Sequence, residues 1–211
     1  METLHNLLVD YNINSIPAIY HRSWSIMFQE KKFPTYWETV YNILNKMDKS
    51  LSVLEIGAGQ GDITSILCYL GFSKIVSFER DKEMANIAKS KIQSLFQRTD
   101  VIINADFPNS RHASDVLVIV NCVYADGVTN KLEYKDKLKS FYEFAGFPKT
   151  VLLEVIDSTY TQSNPDFPCF VRLSQEDIYD IFPIVSVETY KTYQYPINKT
   201  TKYLYHIRTK Q

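Results

Sequence analysis

The stretch Val53-Leu54-Glu55-Ile56-Gly57-Ala58-Gly59-Gln60-Gly61 joins a short apolar strand to a turn in which Gly57, Gly59 and Gly61 alternate with other residues. Glycine lets a backbone come close to a ligand because no β-carbon stands in the way. A loop that cradles a dinucleotide pyrophosphate spaces its glycines as G-x-G-x-x-G. Here the third glycine comes one residue early, and Asp62 holds the position expected of it, where a carboxylate would repel phosphate. The spacing argues against a nicotinamide dinucleotide and for a ligand without phosphate.

Outward from this loop, short apolar strands alternate with amphipathic helices, the pattern of a mostly parallel sheet covered on both faces. Strands are expected at 51–56, 74–78, 100–103, 115–120 and 150–156, with helices near 62–70, 81–96 and 129–145. Residues 106–114 are too few for a full crossover helix, so one layer is thinned there. After the fifth strand, Ser174-Gln175-Glu176-Asp177 reads as a capped helix start. Two strands, 184–190 and 203–208, then follow with no helix between them, as an antiparallel closing pair. Residues 4–47 carry apolar side chains at helical spacing, including Ile26, Met27, Phe28 and Trp37, and precede the sheet as helices.

Ligands collect at the carboxyl edge of such sheets, so the strand ends deserve separate reading. The second strand closes on Phe78-Glu79-Arg80, which places a carboxylate able to accept two hydrogen bonds from ribose hydroxyls. The third closes on Asn104-Ala105-Asp106-Phe107, an acid able to accept from an adenine amino group beside an aromatic able to stack on its ring.

With these residues in order, the chain resembles the class I S-adenosylmethionine-dependent methyltransferases from Leu51 to Arg208. The resemblance implies an α/β, three-layer Rossmann-like fold: a seven-stranded sheet, mostly parallel with an antiparallel last strand, preceded by N-terminal helices. It implies a single domain over 1–211, with 1–47 as a helical segment or lid and 51–208 as the cofactor-binding core. It implies S-adenosylmethionine as cofactor. Glu55 takes the role of the acid that helps hold the methionine ammonium, and Gly57, Ala58, Gly59 and Gly61 that of the loop along the methionine and ribose. Glu79, with Arg80 beside it, takes the ribose position, and Asp106 and Phe107 the adenine position. Asn121, at the end of the fourth strand, joins this set.

The acceptor side reads less directly. Asn121-Cys122-Val123-Tyr124 distantly resembles the N-P-P-Y signature of methyltransferases acting on amino or amide nitrogens, with Asn121 and Tyr124 at the outer positions and both prolines absent. Tyr124 reads equally as an acceptor contact or as a core side chain at a strand end. Glu154 interrupts an apolar strand and demands a partner, because an unpaired buried carboxylate is costly. Asp157 and Tyr160 follow it at the same sheet edge. Within Tyr20-His21-Arg22-Ser23-Trp24, His21 is the candidate general base, since imidazole titrates near neutral pH. Catalytic candidates are thus His21, Tyr124 and Asp157. The Lys131–Lys139 run reads as a solvated helix face with compensating acids.

Composition bounds the class. In 211 residues, 45% hydrophobic and 22% charged, the chain has globular proportions. A net charge of −1 provides no field to gather phosphates, so nucleic acid is not favoured as partner and a small-molecule acceptor, methylated on nitrogen or oxygen, is expected. A methyltransferase for RNA or protein and a non-catalytic scaffold of the same fold are the rival readings. Cys68, Cys122 and Cys169 lack metal-site spacing, so no metal is expected. No apolar run reaches the roughly 18 residues of a membrane span and no secretory leader is read, so a cytoplasmic enzyme is expected.

Overall fold

A computed structural model describes residues 1–21, 35–122, 127–165, 167–194 and 200–210. Helix α1 (Glu2–Asn14) and α2 (Thr35–Asn45) precede the sheet. The sheet strands are β1 (Ser52–Ile56), β2 (Lys74–Glu79), β3 (Ile102–Asn104), β4 (Val116–Ile119), β5 (Thr150–Asp157), the two-residue β6 (Arg172–Leu173), β7 (Ile184–Gln194) and β8 (Thr200–Thr209). Helices α3 (Asp62–Tyr69), α4 (Lys82–Phe96), α5 (Lys131–Phe144) and α6 (Gln175–Ile181), with short 3-10 helices at Ala18–Tyr20 and Cys169–Val171, complete the described elements. Seven strands lie in the order β3-β2-β1-β4-β5-β8-β7, and β6 pairs with the end of β5. β8 runs antiparallel to both of its neighbours, while β1 to β5 are mutually parallel. This is the Rossmann-like three-layer arrangement expected from the sequence.

The two-residue period of the strands sorts side chains between two cores. In β1, Val53 joins Leu4, Leu8, Trp37, Val40, Ile66 and Ala88 on one face, whereas Leu54 and Ile56 join Leu138, Phe141, Leu153 and Ile178 on the other. Glu55 therefore faces the α1–α4 side although it is buried. The same alternation places Glu154 of β5 with Leu152 and Leu204 on that side. No helix bridges β3 and β4, as the shortness of 106–114 required.

Helix ends follow their sequence signals. Asp81 caps α4 by accepting from the Met84 amide at 2.9 Å. Ser174 and Asp177 form the reciprocal box at the start of α6. The lysine run of α5 finds its acids on another element: Lys131 reaches Asp177 at 3.0 Å and Lys135 reaches Asp180 at 2.6 Å, which ties α5 to α6. The β7–β8 turn (195–199) and the expected apolar residues Ile26, Met27 and Phe28 lie outside the described residues. Among the described residues, no helix is long and apolar enough to cross a membrane.

Asp62, at the first position of α3, meets the fully buried Lys91 of α4 at 2.9 Å. Removing one member of such a pair leaves an uncompensated charge, whereas removing both is often close to neutral. Chemical denaturation should show Lys91→Met destabilised by about 3 kcal/mol, with Asp62→Leu/Lys91→Met recovering most of the loss.

Candidate functional site

The carboxyl edges of β1, β2 and β4 frame a pocket of about 700 Å³. This lies within the usual range for small-ligand sites. It is lined by the loop after β1, by Glu55 and Glu79, and by Asn121 and Cys122 after β4; His21, Tyr36 and Met84 close its rim.

The loop is built by backbone demands. Gly57, Gly59 and Gly61 have φ of 76°, 55° and 80°, the left-handed region that L side chains rarely adopt. At Gly57 space is also decisive, because a β-carbon there would stand 2.4 Å from Cys122 Cβ and 2.7 Å from its Sγ. At Gly59 a β-carbon would meet nothing within 4 Å, so that backbone faces open space. The amides of Gly57 and Ala58 both donate to the Phe78 carbonyl, at 2.8 and 2.9 Å. Glu79 fastens the turn: Oε2 accepts from the Gly59 amide at 2.7 Å and Oε1 from the Asp81 amide at 2.8 Å. Each carboxylate oxygen keeps a second acceptor direction.

Glu55 sits in the pocket wall, 2% exposed. Its Oε2 accepts from Thr64 Oγ1 at 2.6 Å and from Ser77 Oγ at 2.8 Å. Burial outweighs these bonds and lifts its pKa from 4.5 to about 7, with the Asp62 and Glu79 charges adding to the rise. Burial also raises the Cys122 thiol, which donates to the Ile56 carbonyl at 2.9 Å and is therefore a neutral packing group. Burial likewise raises the Tyr36 phenol, and the Asp62 and Glu154 carboxylates reinforce the shift.

Asn121, with φ of 54°, is gripped from two strands. Its amide donates to Glu154 Oε2 at 3.0 Å and its Oδ1 accepts from Lys202 Nζ at 2.7 Å. The partner that Glu154 required is thus Lys202 of β8, 3.9 Å away.

Of the residues expected in the site, Glu55, Gly57, Ala58, Gly59, Glu79, Asn121 and His21 line the pocket. Gly61 stands at the start of α3, where a β-carbon would press on Ala88 at 3.1 Å. His21 Nε2 lies 2.8 Å from the Ile16 carbonyl, so Nε2 carries the hydrogen and Nδ1 is the nitrogen left to accept. Arg80 and Asp106 are exposed and outside the pocket lining. Phe107 is buried against Phe78 and Phe141, with ring centroids 5.1 and 5.7 Å apart, rather than presented to the pocket. Asp157 is occupied in a turn, accepting from the Thr159 amide at 2.8 Å and from its hydroxyl. Tyr160 packs under the Arg172 guanidinium, whose bonds to the Tyr160, Gln162 and Phe167 carbonyls staple the loop before β6. Tyr124 lies outside the described residues.

Sequence reasoning missed Gln60, Tyr36 and Lys202. Gln60 donates to the Tyr20 carbonyl at 2.6 Å, which draws the N-terminal segment over the loop. Its Oε1 is buried without a donor. That orphaned acceptor, the open face at Gly59 and the acid at Glu55 suit a ligand carrying hydroxyl and ammonium donors and no phosphate. The residues present therefore fit S-adenosylmethionine.

Because the folded state holds a proton on Glu55 that the unfolded chain releases, this group favours folding fully below pH 4.5 and loses that contribution as pH rises through about 7. The difference amounts to about 3 kcal/mol. Urea unfolding of wild type and Glu55→Gln across pH 4–8 should diverge in this sense, with the variant gaining on wild type as pH rises.

The family model described as ribosomal RNA adenine dimethylase matches residues 32–147, from the start of α2 through β1–β4 and α5. The ribosomal RNA small subunit methyltransferase A of Mycoplasmopsis synoviae is 31% identical over 144 residues, 67% of this chain and 52% of that protein. The chain thus spans about half the length of the curated relative it matches. Among solved structures, the magnesium protoporphyrin IX methyltransferase from Synechocystis with bound S-adenosylmethionine superposes with a TM-score of 0.63 at 12% identity, covering 98% of this chain and 97% of the other. An S-adenosylmethionine-dependent methyltransferase from Clostridium acetobutylicum gives 0.60 at 13% identity over 89% and 96%. The family match overturns the expected small-molecule acceptor and the reading of nucleic acid as a disfavoured partner, and it favours the rival reading of an RNA methyltransferase. Net charge is a sum over the whole surface and does not register how a single edge of the sheet meets its substrate. The chain belongs to the ribosomal RNA adenine dimethylase family, among the class I S-adenosylmethionine-dependent methyltransferases, and its cofactor is S-adenosylmethionine.

Proposed function

We propose that the chain transfers methyl groups from S-adenosylmethionine to the exocyclic amino nitrogen of adenine in ribosomal RNA. The observation that carries this reading is that the family match, 32–147, takes in both the glycine loop and Asn121-Cys122, the two sides of one pocket. Adenine can take up two methyl groups on one nitrogen only at its exocyclic amine, which carries two replaceable hydrogens. The distant N-P-P-Y likeness of Asn121-Cys122-Val123-Tyr124 supports the same class of acceptor.

Bound in this pocket, S-adenosylmethionine would supply a methyl carbon on a sulfonium, to which the acceptor nitrogen would bond as the carbon–sulfur bond breaks, with S-adenosylhomocysteine leaving and an amine proton released. The chain's own part is chiefly placement, which can account for a large share of such a barrier. Glu55 ionises against the ligand's ammonium. Glu79 uses its remaining lone pairs for ribose hydroxyls, with Arg80 flanking it. Asp106 and Phe107 are assigned to the cofactor's adenine, Phe107 acting through its packing under Phe78 rather than as an open stacking face. Asn121 stands at the edge of β4, where its carbonyl oxygen has a second lone pair for an amine hydrogen. His21, through Nδ1, is the candidate to take the released proton; Asp157 and Tyr124 are secondary candidates. Residues 1–47 read as a cover over a single domain, and the cytoplasm, where ribosomal RNA is available, as the compartment.

Purified protein, S-adenosylmethionine carrying a labelled methyl group and protein-free small-subunit ribosomal RNA form the test. The expected outcome is label in dimethylated adenine after hydrolysis of the RNA, with Asn121→Ala at least tenfold slower. Label confined to another base or to ribose, or none with RNA while the protein binds S-adenosylhomocysteine, would overturn the reading.

A further inference from the structure

Glu154 and Lys202 form a buried ion pair, with side chains 0% and 8% exposed, that does not close on itself. Their charged atoms stand 3.9 Å apart, outside ordinary hydrogen-bond distance, while each makes a shorter bond to Asn121. The two residues come from adjacent antiparallel strands in which Glu154 pairs with Leu204 and Ile156 with Lys202, so they are diagonal neighbours on one face. The Phe167 ring lies 5.5 Å from Nζ and confines the ammonium from another side. A buried pair of this kind adds little net stability, since desolvation offsets its attraction. Its two best bonds instead hold Asn121 at a φ of 54°, a left-handed backbone state that asparagine tolerates better than most side chains and that these two partners fix in one orientation.

We infer that the Glu154–Lys202 pair is a positioning device, holding Asn121 from its backbone and its side chain at once so that the acceptor nitrogen is aligned with the pocket. The inference rests on the reading under Proposed function. Glu154 fixes the turn of the chain after β4, and Lys202 fixes which way the amide of Asn121 faces, because an ammonium can bond only to the oxygen end. Neither residue lines the pocket. Both act through Asn121.

The test compares wild type with Glu154→Leu/Lys202→Met, which removes both charges together, and with Glu154→Gln/Lys202→Gln, which keeps an acceptor and a donor in their places. In the apolar pair, kcat for methyl transfer to ribosomal RNA should fall at least tenfold, with KM for RNA and Kd for S-adenosylhomocysteine within about threefold and the melting temperature not lowered. Hydrogen exchange at the Asn121 amide should be at least tenfold faster. The Gln pair should restore most of kcat and of the amide protection. Wild-type kcat and wild-type Asn121 exchange in the apolar pair would overturn the inference. So would a loss of kcat matched by equal losses in cofactor affinity and melting temperature, which mark general damage. If wild type itself methylates no RNA, the proposed function falls, and the Asn121 exchange alone decides whether the pair holds that residue.

Discussion

Gly57 and Cys122 approach so closely that no side chain could stand between them, and the architecture of the site follows from that approach. β1 and β4 are neighbours in the sheet, paired in parallel from Val53 and Val116 onward, so their carboxyl ends open side by side. A β-carbon on Gly57 would meet Cys122 Cβ at 2.4 Å. The glycine loop can therefore lie flat against Cys122, which follows the end of β4. The buried thiol of Cys122 reinforces the seam by donating to the carbonyl of Ile56, the residue before the loop. The loop after β1 and the residues after β4 line one pocket because their backbones are nearly in contact.

Two buried carboxylates flank this seam on the same face of the sheet, and their surroundings divide their work. Burial raises the pKa of Glu55 to about 7, and the neutral hydroxyls of Thr64 and Ser77 that donate to it offset the rise only in part. A cation arriving in the pocket would offset it further. Glu154, raised by burial and drawn back by Lys202, already has its cation and is committed to holding Asn121. One acid faces the pocket and the other is paired within the protein. The difference lies in the neighbours, since both acids interrupt apolar strands in the same way.

Features carried by local pattern were legible in the sequence. The glycine spacing, the strand alternation, the Asp81 and Ser174 caps and the closing antiparallel pair depend on residues within a turn or two of one another. Features that depend on distant pairing were not. Nothing near Lys202 in the chain marks it as the partner of Glu154 across β5 and β8, and nothing around Gln60 reveals its bond to Tyr20. Phe107 shows why residue type alone is ambiguous: an aromatic at a strand end can stack on a base or fill the core, and here it packs between Phe78 and Phe141. The acceptor was misread for a different reason, since a net charge of −1 is a sum over the whole chain and carries no information about any one part of its surface.

The seam between the two loops is tested most directly by isothermal titration of S-adenosylhomocysteine into wild type, Gly57→Ala and Cys122→Gly/Gly57→Ala. The account predicts that Gly57→Ala remains folded but binds at least thirtyfold more weakly. The second substitution, which clears the space at Cys122 and leaves only the strain of a positive φ, should recover part of that loss. Wild-type affinity in Gly57→Ala would contradict it.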